Sequence, residues 1–175
     1  MFKILSKTIV LLALPLISLS QTIDIQKSIV EFEIENMYFN TVEGTFSGFS
    51  GNVKFDVNNL KESKINVCVD ASSVNTNNDE RDEHLKKADF FHIEKYPEIC
   101  FSSSSITKRT DGYLVEGMLK MHGVNKFVKI PLTCENKTLI ATITVSRYDF
   151  NIGRETGTFM VGEDVSISIK CVLKS

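Results

Sequence analysis

The 175-residue sequence predicts an all-β fold, an eight-stranded antiparallel barrel with one short helix capping an end. Three observations lead there. Apolar residues recur at every second position along eight segments, the signature of strands with one dry and one wet face. One segment alone, Asn78 to Ala88, replaces that alternation with charged helix formers. Eight strands joined mostly by short turns would leave two raw edges unless the sheet closed on itself. Eight is also the number at which a barrel interior just holds side chains or one small ligand. A two-sheet sandwich satisfies the same alternation and stays open as the alternative.

Residues 1–20 stand apart from the fold. Lys3 and Lys7 precede an apolar run from Thr8 to Leu19, and Ser18-Leu19-Ser20 puts small residues where a signal peptidase cuts. The run is shorter than the ~20 residues a membrane span needs. It reads as a secretory signal, leaving one domain at 21–175 that is secreted or periplasmic. The first strand sets Val30, Phe32 and Ile34 against Glu31, Glu33 and Glu35. Val42 to Val57 reads as one long strand; at ~3.3 Å per residue it could reach ~50 Å. Gly44, Gly48 and Gly51 lie inside it, and glycine within a strand marks a bulge or sharp bend, so this strand is expected to coil strongly around the barrel. Ile65, Val67 and Val69 form the third dry face, and Ile99, Phe101 and Ser103 the fourth. Turns at Asp111-Gly112 and His122-Gly123 flank a fifth, from Tyr113 to Met121. Val128 to Cys134, Leu139 to Val145, and Val165 to Cys171 supply the last three. Asn75 to Asn78 are helix-capping residue types placed just before the charged segment.

The chain carries 20 basic and 22 acidic side chains. Residues 1–20 hold two Lys and no acid, so 21–175 has 18 against 22, a net of −4. That balance, with no basic cluster, argues against nucleic acid as a partner. Cys68, Cys100, Cys134 and Cys171 show no C-x-x-C or Cys/His spacing that would suggest zinc. His84, His92 and His122 fall on three different elements, so no metal site is expected. Cys68 and Cys100 take the outward phase of strands expected to pair antiparallel, which makes them the expected disulfide. Cys134 and Cys171 take the inward phase of strands with another strand between them.

From Ser72 to Phe101 the sequence reads SSVNTNNDERDEHLKKADFFHIEKYPEICF. Asn75-Thr76, Arg81-Asp82, His84-Leu85, Ala88-Asp89-Phe90-Phe91, Tyr96-Pro97 and Phe101 closely resemble the YceI-like family of exported polyisoprenoid-binding proteins. Gly44-Thr45-Phe46, Gly117 with Leu119, His122-Gly123-Val124, Arg147 with Asp149-Phe150-Asn151-Ile152-Gly153, and Gly162 with Asp164-Val165 continue the resemblance in order along 21–175. At position 122 a histidine stands where the family usually has a polar residue before Gly-Val. The resemblance implies a lipocalin-like barrel with a polyisoprenoid or isoprenoid quinone in an apolar tunnel, no required cofactor and no catalysis. A carrier or storage role follows from that implication. The other reading is an exported interaction or stress-related protein whose barrel is filled by its own side chains. The implied partner is an apolar lipid, with transient membrane contact compatible and monomer or homodimer both open.

Specific residues follow. Phe32, Phe55, Val67, Phe101, Leu119, Ile143 and Ile167 sit on the apolar phase of their strands and should face the interior, where the resemblance makes them ligand-binding. Arg81, His84, Leu85, Phe90 and Phe91 are the expected cap or mouth residues. Arg81 and His84 are three apart and share a helix face, while Asp82 points elsewhere. They either pin the cap by charge-assisted hydrogen bonds or meet a lipid head group. Arg81 is expected to reach a rim acceptor, Asp149 or Asp164. Leu85, Phe90 and Phe91 should point inward, as plug or gate, with Glu83 and Lys87 in water. No nucleophile, base and orienter stand together, so no catalytic residue is assigned.

Overall fold

Alternating sequence becomes nine strands in the computed structural model, which describes residues 20–37 and 40–174. The expected signal segment lies almost wholly outside the described residues. The strands are β1 Ile29–Asn36, β2 Asn40–Phe46, β3 Ser50–Lys54, β4 Lys64–Asp70, β5 Glu98–Arg109, β6 Gly112–Met121, β7 Val124–Glu135, β8 Thr138–Ser146 and β9 Val161–Val172. All pair antiparallel in one curled sheet of order β2-β1-β9-β8-β7-β6-β5-β4-β3.

The count rises from eight to nine because the long strand expected from Val42 to Val57 breaks at Ser47–Phe49. Its two halves lie on opposite edges of the sheet, β2 against β1 and β3 against β4. Gly48 supplies the corner with φ +70, a left-handed conformation disfavoured for residues with a Cβ. Three residues therefore carry the chain from one edge to the other. The Ser47 carbonyl accepts from the Asp70 amide (3.1 Å), tying the corner to the end of β4. Gly44, opposite Phe32, is needed for a different reason. A Cβ there would collide with the Phe32 ring, so the missing side chain lets that ring lie across the strand.

Helix α1 runs from Asp79 to Leu85, shorter than the expected Asn78–Ala88. The Asn78 side chain caps it by accepting from the Arg81 amide (2.9 Å). Turns occupy the chain beyond Leu85, with the Phe91 amide donating to the Leu85 carbonyl (2.9 Å). Among the described residues no helix is long and apolar enough to cross a membrane.

The registers Asp70↔Glu98, Met121↔Val124 and Ser146↔Asp164 mark the barrel end that carries α1. At the other end a strap, residues 20–28, crosses the strands through bridges Gln21↔Val53 and Ile23↔Leu173. Ile23 is buried in the main core beside Val53, Leu139, Cys171 and Leu173. Phe55 lies just past β3 and meets the Tyr113 ring edge-on at 5.0 Å.

Candidate ligand-binding site

Between the strap and the cap lies a cavity of about 490 Å³, within the ~300–1,000 Å³ usual for small-molecule sites. Its walls are the inward phases of the strands, since successive side chains alternate between faces. Phe32, Val67, Phe101, Leu119, Ile143 and Ile167 all line it. Phe55 does not; sitting beyond the end of its strand, it packs on Tyr113 and helps close the strap end. Phe32, Val67, Phe101, Ile143 and Ile167 are only half-buried although they point inward, because the space beside them is not filled by protein.

The exposed lining residues locate the mouth. Glu35, Met37, His84 and Met160 are exposed and border the cavity, and all lie at the α1 end. Ile130, Leu132, Leu139, Ala141 and Cys171, further in, are buried. Leu85, Phe90 and Phe91 line the cavity from the cap, while Glu83 and Lys87 are exposed. Phe91 meets Phe46 edge-on at 5.2 Å, and Phe46 in turn contacts Phe32 at 5.4 Å.

The cap is pinned through Thr76. Asp82, 8% exposed, accepts from the Thr76 amide (2.9 Å) and hydroxyl (2.5 Å). Arg81 Nε donates to Thr76 Oγ1 and Nη2 to the Thr76 carbonyl, each at 2.8 Å. The expected reach of Arg81 to Asp149 or Asp164 is therefore wrong. Thr76 lies five residues back, on a segment that Asn75 joins to Thr45 of β2 by two backbone bonds, so the acceptor is local. Asp149 instead pairs with Lys126 (2.8 Å). His84 Nε2 meets the Asp89 carboxylate at 2.9 Å, with both side chains about half exposed.

Sequence reasoning placed Arg147 only in the family pattern and gave it no role. It is 3% exposed and also borders the cavity. Its Nε donates to the Gly162 carbonyl (2.7 Å), Nη1 to those of Ile152 (3.0 Å) and Gly153, and Nη2 to those of Thr156 (2.7 Å) and Val161 (2.9 Å). One guanidinium thus organises the whole β8–β9 connection. The available signal was a charged residue at the end of an apolar strand, but its acceptors are main-chain carbonyls that no residue type reveals. The Gly153 amide then donates to the Asp89 carbonyl (2.7 Å), joining this connection to the cap.

Cys68 and Cys100 face each other across β4 and β5 and form a disulfide. With Glu98 they make a grouping of metal-ligand types, but its two sulfurs are bonded to one another. Cys134 and Cys171 are free thiols, separated by Leu139 along the register Cys134↔Leu139↔Cys171. Burial pushes the Cys171 thiol up to about 11, with the Ser28 hydroxyl opposing slightly.

Comparison with known proteins agrees with this architecture. The model of the YceI-like domain family matches residues 21–173. Protein YceI of Escherichia coli is 34% identical over 161 residues, 84% of this chain and 82% of that protein. A UPF0312 protein of Photorhabdus laumondii is 34% identical over 157 residues, again 84% and 82%. A shorter match, 37% over 112 residues, covers 64% of this chain and 56% of a Yersinia enterocolitica relative. Among solved structures, Burkholderia cenocepacia BcnA superposes with a TM-score of 0.79 at 26% identity, covering 88% of this chain and 100% of that one. A domain from Saccharophagus degradans described as polyisoprenoid binding shares the fold, with a TM-score of 0.67 at 14% identity over 89% and 98% of the two chains. With its curled antiparallel sheet, its short capping helix and a family match spanning 21–173, the chain belongs to the YceI-like family.

Proposed function

We propose that this protein binds one long apolar lipid, an isoprenoid or related amphiphile, and carries or stores it outside the cytoplasm without acting on it chemically. The observation that carries this reading is the cavity: apolar walls, a buried inner end and one mouth beneath the cap. A tail that loses ~400 Å² of apolar surface gains ~10 kcal/mol at ~25 cal/mol/Å². Association opposes that gain by ~4–15 kcal/mol, so the net affinity is far smaller than the gross gain, and transfer between two apolar hosts gains less than transfer out of water. The self-filled alternative is disfavoured by the half-buried inward side chains. The polyisoprenoid-binding description of the Saccharophagus degradans domain supports the ligand class by analogy of fold. Export rests on the layout of residues 1–20.

Organic extraction of freshly purified protein followed by mass spectrometry tests the reading. The wild type should yield a stoichiometric lipid, and Ile143→Glu, a charge on the cavity wall, should yield none while keeping its β signal. An extract that is empty in every preparation, or equal lipid in folded Ile143→Glu, overturns it.

A further inference from the structure

Two guanidinium groups of the described residues border the cavity, and their hydrogen bonding differs in a way that bears on the ligand's head group. Arg147 has all five N–H donors directed at main-chain carbonyls, so nothing remains for a ligand. Arg81 uses only one side of its fork. Nε and one proton of Nη2 go to Thr76, leaving both protons of Nη1 and the second of Nη2. The second Nη2 proton and one Nη1 proton form the end-on edge of the guanidinium, which matches two oxygens of a carboxylate or phosphate. Among the described residues no carboxylate lies within 4.0 Å of Arg81, and its half-buried side chain lines the cavity at the cap end. The bonds to Thr76 hold it in place before any ligand arrives, which reduces the ordering lost on binding. Of the other charged groups at the mouth, His84 is paired with Asp89, and Glu35 offers only acceptors.

We propose that the end-on edge of Arg81 is the head-group site, and that it selects a single-chain amphiphile ending in an anionic oxygen group, a carboxylate or a phosphate monoester. This rests on the reading that the cavity takes an apolar tail. The cavity volume bounds that tail. At ~30 Å³ for each water-sized group, about 490 Å³ takes on the order of sixteen such groups. A chain of that length fills the space with its head at Arg81.

Displacement of a fluorescent isoprenoid from the full protein, with two matched pairs of competitors, tests this. The pairs are hexadecanoate with hexadecanol, and farnesyl phosphate with farnesol. The wild type should prefer the anion over its alcohol by about tenfold or more in at least one pair, and the pair with the larger ratio names the head group. Arg81→Gln should bring that ratio close to one while both alcohols still compete. Arg81→Lys, which keeps the charge but not the fork, should fall between. Loosening of the cap affects both members of a pair alike, so the ratio reports the head group alone. A wild-type ratio near one in both pairs, or a ratio unchanged in Arg81→Gln, overturns the site and leaves the lipid cavity standing. A fluorescent isoprenoid that does not bind the wild type at all overturns the lipid reading itself.

Discussion

At the strap end the barrel is shut by main chain. The Gln21 amide donates to the Val53 carbonyl (2.6 Å), the Asp24 amide to that of Val172 (2.7 Å), and the Lys174 amide to that of Thr22 (2.7 Å), while Ile23 fills the space behind them. At the cap end the closure is made by side chains: Asp82 and Arg81 on Thr76, and Arg147 on five carbonyls. Strap bonds extend the sheet and open only when strands separate. The bonds that hold α1 itself are local, joining Arg81 and Asp82 to Thr76 five and six residues back, so the helix can release while every strand stays paired. Segments with few such ties belong to the low-stability end of a native structure, where ligand gates are found. On the proposed lipid-binding reading, the difference makes the cap the end expected to open and the strap the end expected to stay shut.

The largest expected effect tests the part of the cap end that acts like the strap. Arg147→Ala would strand five carbonyls in a buried site, and each unsatisfied buried group costs ~1–3 kcal/mol. We expect a loss of at least ~3 kcal/mol by urea denaturation, with Arg147→Lys recovering only part. A loss within error of zero would show that water replaces the guanidinium and that the β8–β9 connection does not depend on it.

Ile23→Ala comes next. Removing this buried side chain should lower stability by ~2–5 kcal/mol and leave the off-rate of a fluorescent isoprenoid unchanged. Faster release would mean that the strap end also opens.

Asp82→Ala should do the reverse. It frees the Thr76 amide and hydroxyl, lowering stability by only ~1–3 kcal/mol, but it should speed lipid exchange severalfold with the β signal intact. An unaltered off-rate would reduce the cap to a fixed plug.

The smallest effect is chemical. The thiolate is the nucleophile, and burial near the closed end keeps Cys171 protonated up to about 11. Below pH 9 it should alkylate far more slowly than in urea, gaining reactivity as pH rises toward 11. The fold favours the protonated thiol, so its contribution to stability is present below the ordinary cysteine value and fades through that window. Rapid alkylation of Cys171 in folded protein at pH 8 would show that the inner end of the cavity is open to water.

Much of this was legible in the residues alone. Period-two alternation specified antiparallel strands and their inward faces, because a strand's side-chain period is two whatever it pairs with. Six of the seven side chains expected inside line the cavity, and the shared outward phase of Cys68 and Cys100 on neighbouring strands matched their pairing across one ladder. Phe55 escaped this logic because alternation says which face a residue takes and not where its strand stops. The break at Gly48 escaped it for a similar reason: three glycines announce a bend, but not that its two arms will lie on opposite edges of a curled sheet.

Polar residues divided differently. Asn78 could be read as a cap because its acceptor serves an amide three residues on, and such local bonds are encoded in sequence spacing. The partners of Arg81, Asp82 and Arg147 could not. Thr76 is close in sequence but is brought under the helix only by its segment's pairing with β2, and Arg147 binds carbonyls up to 15 residues away that every residue carries alike. Chain alternation determined which strand residues face inward, and residue identity which side chains carry charge. Only the curled, folded sheet decided which of two arginines exhausts its donors on the backbone and which leaves one edge of its fork unused, because that depends on where carbonyls converge in space.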